Sequence, residues 1–198
     1  MQLLLFSGFL GSGKTTLVIK LAQFAVERGE KVAILVNEIG EVGIDNQLMR
    51  QLDMNVWELL NGCICCTLST DLVTTLQQLD SDYSPDLIII EPSGAADPKS
   101  ILSAFPYYKG SPLEGILTVS ILDPLRLEML IEVMTPLIVS QIQHADLVLV
   151  SKCDQAKPEE IEYAYQVAKE HNPNAQVMDF SIDSPVNPLV KEIAPWMN

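Results

Sequence analysis

The residues Gly8-Phe9-Leu10-Gly11-Ser12-Gly13-Lys14-Thr15-Thr16 fit the spacing G-x-x-x-x-G-K-[ST]. Glycines at these positions let backbone N–H groups close around phosphate oxygens with no Cβ in the way. In that pattern Lys14 reaches the β- and γ-phosphates and the Thr15 hydroxyl ligates Mg²⁺. Gly8, Gly11, Ser12, Gly13 and Thr16 complete the loop. An apolar run at 3–6 precedes it and an amphipathic segment at 17–26 follows it. Strand, glycine loop and helix start is the context this pattern needs, and the helix points its positive end at the same phosphates. The chemistry implied is nucleotide binding.

Four more clusters carry polar chemistry. Residues 37–45, Asn37-Glu38-Ile39-Gly40-Glu41-Val42-Gly43-Ile44-Asp45, hold two glycines and three carboxylates. Asp45 is a candidate to hold Mg²⁺ or orient an attacking water; an acidic surface turn is an equal reading. Three thiols follow within four residues, at Cys63, Cys65 and Cys66. Disulfides between such close neighbours are strained, whereas thiolates can converge on one soft or borderline metal ion. Glu38, Glu41, water or a partner chain are candidates for the fourth ligand. A redox-reactive cluster and simple buried thiols remain as alternatives. Glu91, at the end of an apolar run, is a second candidate Mg²⁺-side group, and Gly94 is placed to offer an N–H to the γ-phosphate. Ser151-Lys152-Cys153-Asp154 is similar to the N-K-x-D element that reads guanine: Asp154 accepts from the base, and Lys152 lies along it and ties back to the phosphate loop. Ser151 stands where Asn is usual. The expected catalytic groups are thus Lys14, Asp45 and Glu91.

Positioning these groups requires alternating elements. Apolar runs lie at 3–6, 32–36, 56–60, 87–90, 116–122 and 147–150, with a weaker one at 176–180. Helical patterns lie at 14–28, 70–79, 98–105, 125–144 and 158–171, with a short closing helix at 187–198. Continuous apolar strands alternating with helices predict an α/β fold in three layers, a mostly parallel sheet with helices on both faces. Ligands of such sheets bind beyond the carboxyl ends of the strands, so the loops after strands are where chemistry is expected. The length suits one domain spanning 1–198.

The formal net charge of −14 disfavours nucleic acid and anionic membranes as partners. No basic region precedes the first apolar run, and Lys14 interrupts it; the reading is neither a leader peptide nor a spanning helix. Crowded cysteines in a chain this size fit a reducing cytoplasm better than a disulfide framework.

In this order the phosphate loop, N-E-x-G-E at 37–41, G-C-I-C-C at 62–66, Glu91-x-x-Gly94 and Ser151-Lys152-Cys153-Asp154 resemble the CobW-type GTPases (cobalamin synthesis protein-like), relatives of the urease and hydrogenase nickel-insertion GTPases. The resemblance covers essentially the whole chain, and G-C-I-C-C after N-E-x-G-E is its most specific part. It implies a P-loop NTPase fold and a metallochaperone whose GTP–GDP cycle controls capture and release of Zn²⁺, Co²⁺ or Ni²⁺. It carries Cys63, Cys65 and Cys66 over as metal ligands and Glu91 and Asp45 as Mg²⁺-side groups. A client metalloenzyme or corrinoid protein, and a homodimer formed on nucleotide binding, are the implied partners. Family members usually carry a further C-terminal domain, which this chain is expected to lack.

Three rival readings stand beside it. The first is a GTPase activator of a cobalamin-dependent enzyme, since the same general fold serves both tasks. A small-molecule kinase is disfavoured, because the chain has only Arg28, Arg50 and Arg126. The third is a zinc- or redox-sensing module without hydrolysis. Slow intrinsic turnover is expected, because none of these motifs contains an arginine to act as an in-chain finger.

Overall fold

The computed structural model describes residues 1–36, 55–58, 68–181 and 187–193. The chain runs β1 (Gln2–Ser7), α1 (Lys14–Glu27), β2 (Val32–Val36), β3 (Asn55–Glu58), α2 (Leu68–Tyr83), β4 (Leu87–Glu91) and α3 (Pro98–Leu102). It continues through a 3-10 turn (Phe105–Tyr107), β5 (Gly115–Leu122), α4 (Pro124–Gln143), β6 (Leu147–Ser151), α5 (Pro158–His171), β7 (Gln176–Phe180) and α6 (Asn187–Ile193).

The seven described strands join one sheet in the order β3-β2-β4-β1-β5-β6-β7. Every neighbouring pair is parallel, for example Leu5 beside Ile90 on one side and Thr118 on the other. The predicted mostly parallel sheet is therefore wholly parallel among the described strands. The alternation of side chains along each strand sorts the core into layers. Leu4 and Phe6 pack with Leu17, Leu21 and Ala25 of α1 and with Leu189 and Ile193 of α6. Leu3 and Leu5 face the opposite way, onto Leu72, Leu76 and Leu79 of α2 and Ile101 of α3. On that second face Val148 and Val150 pack against Leu127 and Ile142 of α4 and Ala164 of α5. Burial on both faces is why the central strands read as unbroken apolar runs.

Local chemistry explains the helix boundaries. Asp97 and Asp123 cap α3 and α4 by accepting from Lys99 N and Leu125 N, each followed by a proline at the first helical position. Helix α3 stops at Leu102, short of the expected 105, and Pro106 falls in the 3-10 turn that follows. Helix α4 spans the expected segment but breaks its geometry at Met134, two residues before Pro136, as a proline that removes one helical donor requires. The parallel register gathers the carboxyl ends of β1, β4, β5 and β6 at one edge of the sheet, around the central strand β1.

Candidate functional site

The loop from Gly8 to Gly13 leaves the end of β1 and enters α1. Gly8 has φ +137°, and a Cβ there would lie 2.6 Å from the Ile121 carbonyl of β5, so no other residue lets the loop pack this closely. Gly13, at φ 99°, occupies the N-cap of α1 without any side-chain cap, and the first turn has no acid. The N–H groups that open α1 are thereby left to an anion. The buried Ser12 hydroxyl has no hydrogen-bond partner among the described residues.

Lys14 is buried, and its Nζ donates to the carbonyls of Gly8 (2.8 Å) and Phe9 (3.2 Å). Burial pushes its pKa down, Glu91 opposes that shift, and Arg126 adds to it. Glu91 ends β4, next to β1, and is buried as well. The Thr15 hydroxyl donates to Glu91 Oε1 at 2.6 Å, while Oε2 has no partner among the described residues. Burial pushes the Glu91 carboxyl up, against the pull of Thr15 and Lys14. Lys14 and Glu91 attract each other, yet for both the cost of burial outweighs that attraction. A nucleotide phosphate with Mg²⁺ would offset both charges. A hydroxyl and a carboxylate with a spare oxygen are the hard donors Mg²⁺ takes, so the residues fit that ion.

Gly94 lies against the phosphate loop: a Cβ on it would meet Leu10 N at 2.4 Å and Phe9 C at 3.0 Å. Its position is held from α4, where buried Gln141 donates through Nε2 to the carbonyls of Gly94 (3.2 Å) and Ala96 (3.4 Å). Ser140, one residue earlier, donates to the α3 cap Asp97 at 2.6 Å.

Asp123, directly after β5, is buried and accepts through Oδ2 from both Arg126 Nε (2.9 Å) and Lys152 Nζ (2.7 Å). Arg126 reaches on to the phosphate loop and donates from Nη2 to the Leu10 carbonyl at 2.7 Å. The expected direct tie from Lys152 to the phosphate loop is replaced by a link through Asp123 and Arg126. Lys152 has φ 53°, in the left-handed region, which turns the chain sharply after β6. Ser151 is buried and donates to the Leu122 carbonyl at 3.1 Å, joining β6 to β5. The Asp154 carboxylate is exposed and accepts from Ser181 (2.9 Å) and Gln155 (3.2 Å). The Ser181 bond, with that from Gln155, holds its pKa below the ordinary carboxylate value, so it stands as an ionised acceptor.

The structure therefore brings together Gly8, Gly11, Ser12, Gly13, Lys14, Thr15, Thr16, Glu91 and Gly94 around one loop, with Ser151, Lys152 and Asp154 at the end of β6. Asp45, Glu38, Glu41, Cys63, Cys65 and Cys66 lie outside the described residues. Sequence reading missed three residues at the site: Asp123, Arg126 and Gln141. A signal did exist for Asp123, since Asp-Pro after the apolar run at 116–122 marks a helix cap directly following a strand. Nothing local marks Arg126 or Gln141. Arg126 touches the phosphate loop although it lies outside every motif, so it adds to the reading that none of the motifs contains an arginine.

Comparison with known proteins agrees with this geometry. Residues 2–179 match the profile of the family described as CobW/HypB/UreG, nucleotide-binding domain. The zinc chaperone YeiR of Escherichia coli is 36% identical over 157 residues, covering 78% of this chain and 47% of YeiR. The zinc chaperone YjiA of the same organism is 33% identical over 161 residues, covering 77% of this chain and 49% of YjiA. This chain thus spans about half the length of these curated relatives. The crystal structure of Zn(II)-bound YjiA GTPase from E. coli superposes with a TM-score of 0.65 at 26% identity, over 89% of this chain and 56% of that one. The hydrogenase maturation factor HypB of Archaeoglobus fulgidus superposes at 0.70 with 16% identity, over 100% and 91%, and shares the fold.

Proposed function

Because this chain belongs to the CobW/HypB/UreG family of nucleotide-binding domains, we propose that it binds and slowly hydrolyses GTP and couples that cycle to carrying a transition metal, zinc first and Co²⁺ or Ni²⁺ as alternatives. The observation that carries the nucleotide half is the pair of buried, under-compensated charges, Lys14 and Glu91, at the mouth of an uncapped helix. On binding, Lys14 exchanges the Gly8 and Phe9 carbonyls for phosphate oxygens, a stronger charge-assisted bond. Thr15 and Glu91 would hold Mg²⁺, with Asp45 as a further Mg²⁺-side group; the ion would supply positive charge to the phosphates. Gly94, pressed against Leu10, offers its N–H beside the terminal phosphate. Asp154 reads guanine through its exposed carboxylate, with Lys152 along the base.

The metal half rests on Cys63, Cys65 and Cys66 as thiolate ligands, with Glu38 or Glu41 completing the set. It is supported by the zinc-chaperone names of YeiR and YjiA and by zinc in the YjiA crystal. Segments 37–45 and 61–66 follow β2 and β3, whose carboxyl ends share the edge of the sheet that carries the phosphate loop. Binding of the γ-phosphate would change how Glu38 or Glu41 stands to the thiolates and so couple metal affinity to the nucleotide. The recipient is a client metalloprotein.

The deciding experiment measures metal content and affinity of the reduced protein with GTP–Mg²⁺ and then with GDP–Mg²⁺, alongside a Cys63→Ser/Cys65→Ser/Cys66→Ser variant. A one-to-one site, lost in the variant and changed by the γ-phosphate, is the expected result. Affinity indifferent to nucleotide would end the coupling and leave a GTPase that acts on its client, such as a corrinoid protein, without carrying metal.

A further inference from the structure

Two cations are docked on the phosphate loop, and only one of them belongs to its motif. Lys14 Nζ donates to the carbonyls of Gly8 and Phe9; Arg126 Nη2 donates to the next carbonyl, Leu10, at 2.7 Å. Three consecutive carbonyls of the loop thus accept from two side chains. The guanidinium also borders Gly11, where a Cβ would lie 3.3 Å from Nη2 and 3.6 Å from Nη1. It is close enough to Lys14 for its charge to oppose protonation of that ammonium.

A guanidinium needs no carbonyl of this loop for stability. Its side chain is 35% exposed, and Nε is already paired with Asp123, which is buried at 1%. That pairing does have a geometric consequence. The carboxylate fixes the Nε edge of the planar fork, and Asp123 is itself held by Leu125 N and Lys152 Nζ. The Nη edge is therefore presented to the phosphate loop by an anchored partner, not by a free side chain. A neutral carbonyl is a weaker acceptor for it than a phosphate oxygen, and a guanidinium fork matches phosphate geometry.

We infer that Arg126 is a second phosphate-binding cation of this site, moving from the Leu10 carbonyl to an oxygen of the terminal phosphate of a nucleoside triphosphate. The inference rests on the nucleotide-site reading above and adds a residue to it. Lys14 and a bound Mg²⁺ together would carry less positive charge than a triphosphate and Glu91 carry negative; Arg126 provides the further charge from within the chain, at the point where the γ-phosphate adds its own. A purely structural role, bolting α4 to the loop, would instead serve the tri- and diphosphate alike.

The test is the ratio of dissociation constants for a non-hydrolysable triphosphate analogue and the diphosphate, measured for the full chain and for Arg126→Gln and Arg126→Lys. Guanine and adenine nucleotides are both titrated. Arg126→Gln should weaken the triphosphate analogue by roughly tenfold to hundredfold and the diphosphate by less than about threefold, with Arg126→Lys restoring part of the loss. Its melting temperature without nucleotide should stay near that of the parent, since Lys152 Nζ still pairs with the Asp123 carboxylate. Equal weakening of both nucleotides, or no change in either, overturns the inference while leaving the GTPase reading intact. A parent protein that prefers adenine overturns the guanine assignment, and the same ratio still decides Arg126. A parent that binds neither nucleotide overturns both.

Discussion

Replacing Gly94 with alanine probes the contact on which the assembled site depends. The backbone φ of Gly94 is not in the left-handed region, so alanine adds no conformational strain there. On entropy alone the change would stabilise the fold by about 0.4–1 kcal/mol. Space decides otherwise. The new Cβ would stand 2.4 Å from Leu10 N and 3.0 Å from both Leu10 Cα and Phe9 C. All three are backbone atoms of the phosphate loop, with no flexible side chain to yield. Overpacking of this kind costs roughly 1–3 kcal/mol, for a net loss of about 1–2 kcal/mol after the entropic gain. If the loop stays in place, the loss appears as a melting temperature lower by about 2–8 °C. If the loop moves aside, the same energy appears as nucleotide affinity weakened by roughly fivefold to thirtyfold. Thermal unfolding without nucleotide and titration with a fluorescent GDP analogue measure the two shares. Gly29→Ala is the control: nothing lies within 4 Å of its Cβ position and its φ of +84° costs only local strain, so affinity should be unchanged. A Gly94→Ala protein matching the parent in both measurements would refute the packing of the 92–97 loop on the phosphate loop.

Cys153 should be the inert cysteine. Burial, then Asp179 and Asp154, push its thiol up to about 11, so at pH 8, three units lower, about one molecule in a thousand carries the thiolate. The sign follows from the raised value: the neutral thiol's contribution to folding is complete below the ordinary thiol range and is lost as pH climbs through about 11. Peptide mass spectrometry after iodoacetamide treatment should find Cys153 unmodified at pH 8 over a time that saturates the unfolded chain, with the rate rising about tenfold per pH unit; labelling at the unfolded rate would contradict it. At Asp123, asparagine keeps an acceptor for Leu125 N but removes the charge between Arg126 and Lys152, whereas alanine also removes the helix cap. Asp123→Ala should therefore melt about 2–4 °C below Asp123→Asn, the value of one cap of roughly 1 kcal/mol, and equal melting temperatures would show that the cap contributes nothing.

What could be read in the sequence is what physics keeps local. Within the described residues, each segment expected to be a strand or helix is one over at least part of its length, because side-chain period reports which faces of an element are buried, whatever it packs against. Helix α5 runs over the expected residues, Pro158–His171, with Glu159 and Glu160 in its first turn, because its start signals lie within one turn. The phosphate loop was legible for the same reason: nine adjacent residues contain the glycines, the lysine and the hydroxyl that the geometry needs. Even the role expected of Glu91, at a strand end, needed only a run of four apolar residues before it.

The rest of the site was decided by the order of strands in the sheet. Arg126 and Leu10 are 116 residues apart, and Thr15 and Glu91 are 76 apart. Both contacts exist because β4 and β5 flank β1. Gln141 reaches Gly94 only because α4 packs beside α3 on the same face of that sheet. No periodicity within a segment encodes which strand will be its neighbour; that follows from the summed burial of all the elements and from the right-handed connections that parallel pairing requires. The motif fixed the identity of the phosphate-binding loop locally, while the fold as a whole determined which residues from distant segments came to rest against it.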